Sequence, residues 1–193
     1  MTFATQITVA RIFLVPVFAY FAVRYGQTVA TGAAEESLRW WAVAVFTIAA
    51  VSDGIDGFVA RYFNQKSKLG ALLDPIADKA LLLTALLILS LVEWGEDWSL
   101  PLWFVVLVIA RDIFIFGGIN VLYYLKVDVP IKPHWSGKIC TVTQMFALGW
   151  VMLKWIPFSP LYPTILAAIF TIYSGIAYYR QGYRQLPKNQ PSK

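Results

Sequence analysis

The stretch Asp53-Gly54-Ile55-Asp56-Gly57-Phe58-Val59-Ala60-Arg61, followed by Gly70, Asp74 and Asp78, decides how this chain is read. Written as a pattern it is D-x2-D-G-x2-A-R-x8-G-x3-D-x3-D. Apolar sequence flanks it on both sides. A charge at the centre of a membrane helix costs roughly 2.5–3.5 kcal/mol on insertion scales. Four carboxylates and an arginine in such surroundings need compensation. One or two divalent metal ions are the simplest compensator for four aspartates.

The surroundings are apolar throughout the chain. Its 193 residues are 59% hydrophobic and 14% charged, with a mean hydropathy of +0.62. That excludes an ordinary soluble domain and fits a polytopic membrane protein. Eight Trp, ten Tyr and thirteen Phe supply material for aromatic belts at the membrane interfaces. The net charge of +5 is no nucleic-acid signal, because its distribution follows membrane topology. A single cysteine, Cys140, excludes an intramolecular disulfide. Met1–Gln6 carries no basic residue, so the first apolar segment is expected to stay as a helix rather than be cleaved.

Six segments are apolar and long enough to span: Ile7–Val23, Leu38–Ala60, Leu69–Val92, Leu100–Leu125, Gly137–Trp155 and Leu161–Tyr179. About 20 residues cross the hydrocarbon as a helix. The expected fold is therefore all-α, a polytopic membrane protein with six transmembrane helices. Residues 1–180 form one membrane domain, and 181–193 form a polar, basic C-terminal tail. Arg61, Lys66, Lys68, Lys126, Lys132, Lys138, Arg180, Arg184, Lys188 and Lys193 fall on one side. Arg24, Arg39 and Lys154 fall on the other, with Glu35, Glu36, Glu93, Glu96 and Asp97. The positive-inside rule makes the richer side cytoplasmic, with both termini inside. The aspartate cluster then faces the cytoplasm from an inner-membrane protein.

Residues three, four or seven apart share a helix face. Asp53, Asp56 and Ala60 line one face of the second helix, with Gly57 beside them. Gly70, Asp74 and Asp78 line one face of the third. The short connector makes the two helices an antiparallel hairpin whose faces can meet. Hard ions such as Mg²⁺ or Mn²⁺ prefer all-oxygen ligands, and a two-metal site can clamp a phosphoryl centre. Gly57 and Ala60 leave room for a bulky ligand, and Arg61 offers a planar fork suited to phosphate. Pro75 lacks an N–H and frees a carbonyl one turn earlier.

These residues resemble the signature of the CDP-alcohol phosphatidyltransferase family at every position: Asp53, Asp56, Gly57, Ala60, Arg61, Gly70, Asp74 and Asp78. The resemblance implies a reaction in which an acceptor hydroxyl attacks the β-phosphorus of CDP-diacylglycerol and CMP leaves. It implies metal ligation by Asp53, Asp56 and Asp74. Asp78 would be the general base and a further metal contact. It places CDP binding on Asp53, Gly57, Ala60, Arg61 and Gly70. It also implies a homodimer.

Three weaker signals concern the substrates. Thr8 and Arg11 match the family's opening P-N-x-x-T-x-x-R, with Ala4 and Thr5 in place of the proline and asparagine. Thr8 joins the expected CDP contacts. Arg111 and Asp112 lie deep in the fourth segment, and adjacent residues on a helix do not automatically pair. Gly137-Lys138-Ile139-Cys140-Thr141-Val142-Thr143-Gln144 resembles the G-K-x-x-T-x-x-Q stretch of the family's bacterial phosphatidylglycerophosphate synthases. His134 is a lone loop histidine, not an expected ligand.

Arg11, Arg111 and Lys138 are the expected ligands of an acceptor phosphate, with glycerol 3-phosphate the expected acceptor and phosphatidylglycerophosphate the product. Two residues pull elsewhere. The synthases carry Arg-Glu where this chain has Arg111-Asp112, and another arginine where it has Ile119. The Arg-Asp form resembles cardiolipin synthases, which use phosphatidylglycerol, and inositol phosphate stays open. The reading from another class is a small ion-coupled transporter. It predicts charges spread across the membrane and inverted repeats, neither of which the sequence shows.

Overall fold

A computed structural model describes the backbone of residues 3–62, 68–124, 135–155 and 157–185, and the side chains of 7–52, 76–118, 135–155 and 157–181. The described residues form six α-helices and no strand: α1 (Phe3–Ala30), α2 (Glu36–Tyr62), α3 (Lys68–Leu91), α4 (Leu102–Tyr124), α5 (Trp135–Leu153) and α6 (Leu161–Gln185). Each expected apolar segment falls on one helix; the bounds agree within two residues for α2 to α5, while α1 and α6 run on past their expected ends to Ala30 and Gln185. Two helices, α1 over Ile7–Ala30 and α6 over Leu161–Gln181, are long and apolar enough along the described residues to cross a membrane. At about 1.5 Å per residue either one exceeds the ~30 Å of hydrocarbon.

The first helix is longer than its apolar run. The polar connector expected from Gly26 onward is helical as far as Ala30. Hydroxyl groups extend it. Thr28 Oγ1 donates to the Tyr25 carbonyl at 2.7 Å and accepts the Glu35 amide at 3.2 Å, while Thr31 Oγ1 donates to the Thr28 carbonyl. Gly32 then ends the helix with φ +73°, a left-handed conformation that costs glycine least.

The chain forms two compact units. The first comprises Met1–Ser99 and Val151–Pro157. Here α1 packs on both α2 and α3, and α2 touches α3 less extensively. Alanines at the contacts let the helices approach closely: Ala22, Ala42, Ala49, Ala77 and Ala85 are fully buried, with Phe18, Phe46, Leu81 and Leu86 filling the gaps. Gly26 makes the closest approach, because a Cβ there would stand 2.0 Å from Val92 Cγ1.

This unit also holds the C-terminal end of α5. Arg39 Nη1 donates to the Leu153 carbonyl at 2.7 Å and more weakly to that of Met152, and Trp98 Nε1 donates to the Val151 carbonyl at 2.9 Å. The last carbonyls of a helix have no partner within it, and a cation there also complements the dipole. Glu36 Oε2 accepts Arg39 Nε at 2.5 Å and steadies the cap. Lys154, with φ 52°, donates to the Trp94 carbonyl and to the Tyr25 hydroxyl.

The second unit comprises Leu100–Trp150 and Phe158–Lys193. In it α4 packs on α6. The α6 face inside the unit is unusually polar, with Thr164, Thr171 and Ser174 fully buried. Thr171 meets α5 through Gln144 Nε2 at 3.1 Å and Cys140 Sγ at 3.4 Å. Ser159 Oγ accepts the Leu161 amide at the start of α6, a cap for one of its orphan donors. Large apolar side chains stand exposed on every helix, among them Phe13, Ile48, Leu91, Ile113, Val142 and Ile169. Exposed to water they would form an adverse surface; exposed to lipid they match their solvent.

Candidate active site

The eight-residue pattern occupies the ends of two neighbouring helices of the first unit. Asp53, Asp56, Gly57, Ala60 and Arg61 lie in the last turns of α2, and Gly70, Asp74 and Asp78 in the first turns of α3. The side chains from Asp53 to Asp74 lie outside the described residues. The expectations placed on Asp53, Asp56, Gly57, Ala60, Arg61, Gly70 and Asp74 therefore rest on backbone position and donor chemistry. Four carboxylates at adjoining helix ends are an oxygen-only donor set, which fits a hard divalent cation. Among the described residues no three metal-ligating side chains gather.

Asp78 is described, and its partner comes from α1. Arg11 Nη1 donates to Asp78 Oδ1. The arginine is 1% exposed and the aspartate 45%. Thr8, one turn earlier on α1, is also buried. Both Thr8 and Arg11 thus belong to the unit that carries the aspartates. The contact described for Arg11 is with the expected base, and its expected role toward the acceptor phosphate belongs to the functional proposal below. A buried guanidinium needs a counter-charge, and Asp78 supplies it.

Arg111 lies in α4 of the second unit. Its Nη1 donates to Asp112 Oδ1 at 2.8 Å, so these adjacent residues do pair; the long arginine stem folds back to its neighbour. Arg111 Nη2 donates to Ser174 Oγ on α6 at 2.5 Å, and the guanidinium carbon lies 5.7 Å from the ring centre of Tyr178. Arg111 Nε is buried with no partner among the described residues. Lys138 is exposed in the first turn of α5. Its neighbour Gly137 adjoins the same tyrosine: a Cβ at Gly137 would stand 3.1 Å from the Tyr178 hydroxyl oxygen. Ser174 and Tyr178 were not legible as site residues. A serine and a tyrosine four apart in an apolar helix carry no motif, and only the seat they form around Arg111 marks them. His134 lies outside the described residues.

The family model for CDP-alcohol phosphatidyltransferases matches residues 1–176. The chain belongs to that family. It is 31% identical over 182 residues to the CDP-diacylglycerol–glycerol-3-phosphate 3-phosphatidyltransferase of Escherichia coli K12, covering 90% of this chain and 91% of that one. It has the same identity, over 179 residues and with the same coverage, to the enzyme of that name in Salmonella typhimurium LT2. A CDP-alcohol phosphatidyltransferase is a transferase, and the Asp53–Asp78 pattern is where the family resemblance of this one is most specific.

Proposed function

We propose that this protein is an integral membrane enzyme that transfers the phosphatidyl group of CDP-diacylglycerol to glycerol 3-phosphate, releasing CMP and forming phosphatidylglycerophosphate. The observation that carries the reading is the complete eight-position pattern at the adjoining ends of α2 and α3, in a chain that the family model matches over residues 1–176. The choice of glycerol 3-phosphate follows the activity for which the relatives that match along nearly their whole length are named.

Phosphoryl transfer asks a protein for positioning and charge neutralisation more than for covalent chemistry. Asp53, Asp56, Asp74 and Asp78 would hold Mg²⁺ or Mn²⁺, which offsets negative charge on the phosphoryl oxygens. Gly57, Ala60, Gly70 and Thr8 line the CDP side of the site, and Arg61 donates to its phosphates. A carboxylate oxygen of Asp78 takes the proton of the acceptor hydroxyl as the hydroxyl oxygen bonds to the β-phosphorus. The bond to the CMP oxygen breaks, and CMP leaves with the electron pair. Arg11 holds Asp78 from the buried side. Arg11, Arg111 and Lys138 are the proposed ligands of the acceptor phosphate.

All six helices span the inner membrane in this reading, with both termini and the aspartates on the cytoplasmic side. The enzyme works as a homodimer. The test is CMP release by purified protein given CDP-diacylglycerol, Mg²⁺ or Mn²⁺, and a panel of glycerol 3-phosphate, phosphatidylglycerol, inositol phosphate and serine, each with and without EDTA. Metal-dependent release with glycerol 3-phosphate is expected. Release with phosphatidylglycerol alone would make it a cardiolipin synthase, and no release with any acceptor would sink the reading.

A further inference from the structure

The guanidinium of Arg111 is held on two sides before any ligand arrives. Asp112 takes Nη1, Ser174 takes Nη2, and the ring of Tyr178 lies 5.7 Å from the guanidinium carbon, within cation–π range. Two of the three are on α6, a helix to which the sequence assigned no function. We propose that Ser174 and Tyr178 are positioning residues for the acceptor: they fix Arg111 so that its remaining donors meet the acceptor phosphate. This rests on the function proposed above and deepens it.

The geometry supports the role in three ways. A guanidinium has five N–H donors, and the bonds to Asp112 and Ser174 leave others. One of these, Nε, is buried with no partner among the described residues, a costly arrangement that an anionic oxygen would relieve. Asp112 already balances the charge, so the seat offers a phosphate oriented donors rather than bare charge. Finally, an arginine free to rotate would give up side-chain entropy on binding, whereas a seated one has already given it up. Tyr178 also adjoins Gly137, the residue before Lys138. One side chain therefore touches both elements that carry the expected phosphate ligands of this unit.

A role limited to joining α4 to α6 predicts something different, and the split between the two substrates separates them. Ser174→Ala and Tyr178→Leu are expected to raise KM for glycerol 3-phosphate about tenfold, the loss of one charge-assisted contact, with KM for CDP-diacylglycerol unchanged. Tyr178→Phe keeps the ring and is expected to raise it less than Tyr178→Leu. Unchanged KM for glycerol 3-phosphate would overturn the proposal, as would a parallel rise in both KM values with a lowered thermal midpoint. If the wild type uses only another phosphate-bearing acceptor, the acceptor assignment fails and the same comparison on that acceptor decides the seat. If no acceptor reacts, calorimetric binding of glycerol 3-phosphate decides it. Wild-type binding weakened about tenfold by Tyr178→Leu supports the seat; equal affinity, or no wild-type binding, overturns it.

Discussion

Arg11 of α1 donates to the carboxylate of Asp78 on α3, and the guanidinium is buried while the carboxylate is half exposed. The pairing gives one aspartate two duties. It is the expected base, and it is also the counter-ion of an arginine that water does not reach. Asp78→Asn should therefore do two things at once. CMP release should vanish, and the thermal midpoint should fall by the equivalent of roughly 1–3 kcal/mol, because the buried cation loses a charged partner. Arg11→Gln combined with Asp78→Asn removes both charges. The double variant is expected to recover most of the midpoint and none of the turnover. Turnover that returned with stability would show that Asp78 matters only for folding.

Gly26 is where α1 lies closest to the end of α3. A Cβ would stand 2.0 Å from Val92 Cγ1 and 3.3 Å from the Glu93 backbone oxygen. Gly26→Ala is expected to lower the thermal midpoint by the equivalent of about 1–3 kcal/mol, as overpacking does. Shortening the opposing side chain with Val92→Ala should return part of that loss in the double variant. Non-additivity in unfolding of the four proteins is the measurement. Additive effects would mean that the two residues do not meet.

Arg39 caps the last carbonyls of a helix 113 or more residues away in sequence. Arg39→Ala leaves the Leu153 carbonyl without its 2.7 Å donor and removes a cation from a helix C-terminus. A loss of about 1–2 kcal/mol is expected, with KM for both substrates unchanged. Hydrogen exchange of the α5 C-terminal amides should rise in this variant and remain as in the wild type in the Ser174→Ala protein. Equal exchange in both would remove Arg39 as the cap.

These cases show what the sequence could and could not supply. The helices were legible because apolar runs of spanning length leave little choice of element. The Asp53–Asp78 pattern was legible because its spacing puts the carboxylates on single helix faces. The extension of α1 to Ala30 was not, since it depends on Thr28 and Thr31 turning their hydroxyls onto nearby carbonyls. The Arg11–Asp78 pair spans 67 positions, and only the packing of α1 on α3 brings its members together. The Arg111–Asp112 pair defied the facing rule because that rule describes Cβ directions, and an arginine stem is long enough to turn back.

Membrane orientation gives the last test. By the positive-inside rule the basic residues predict the α1–α2 connector outside and the tail inside. Cys140 is the sole cysteine and is buried against Thr171 and Gln144, so Cys140→Ser gives a conservative cysteine-free background. Ala34→Cys lies at an exposed position of the connector, outside any helix, and Ser192→Cys lies in the tail. In cells with an intact inner membrane, an impermeant maleimide should label Ala34→Cys and should reach Ser192→Cys only after permeabilisation. The aspartates at the far ends of α2 and α3 would then face the cytoplasm, where glycerol 3-phosphate is supplied. Labelling of Ser192→Cys alone in intact cells would invert the protein and place the expected active site on the wrong side for a cytoplasmic acceptor.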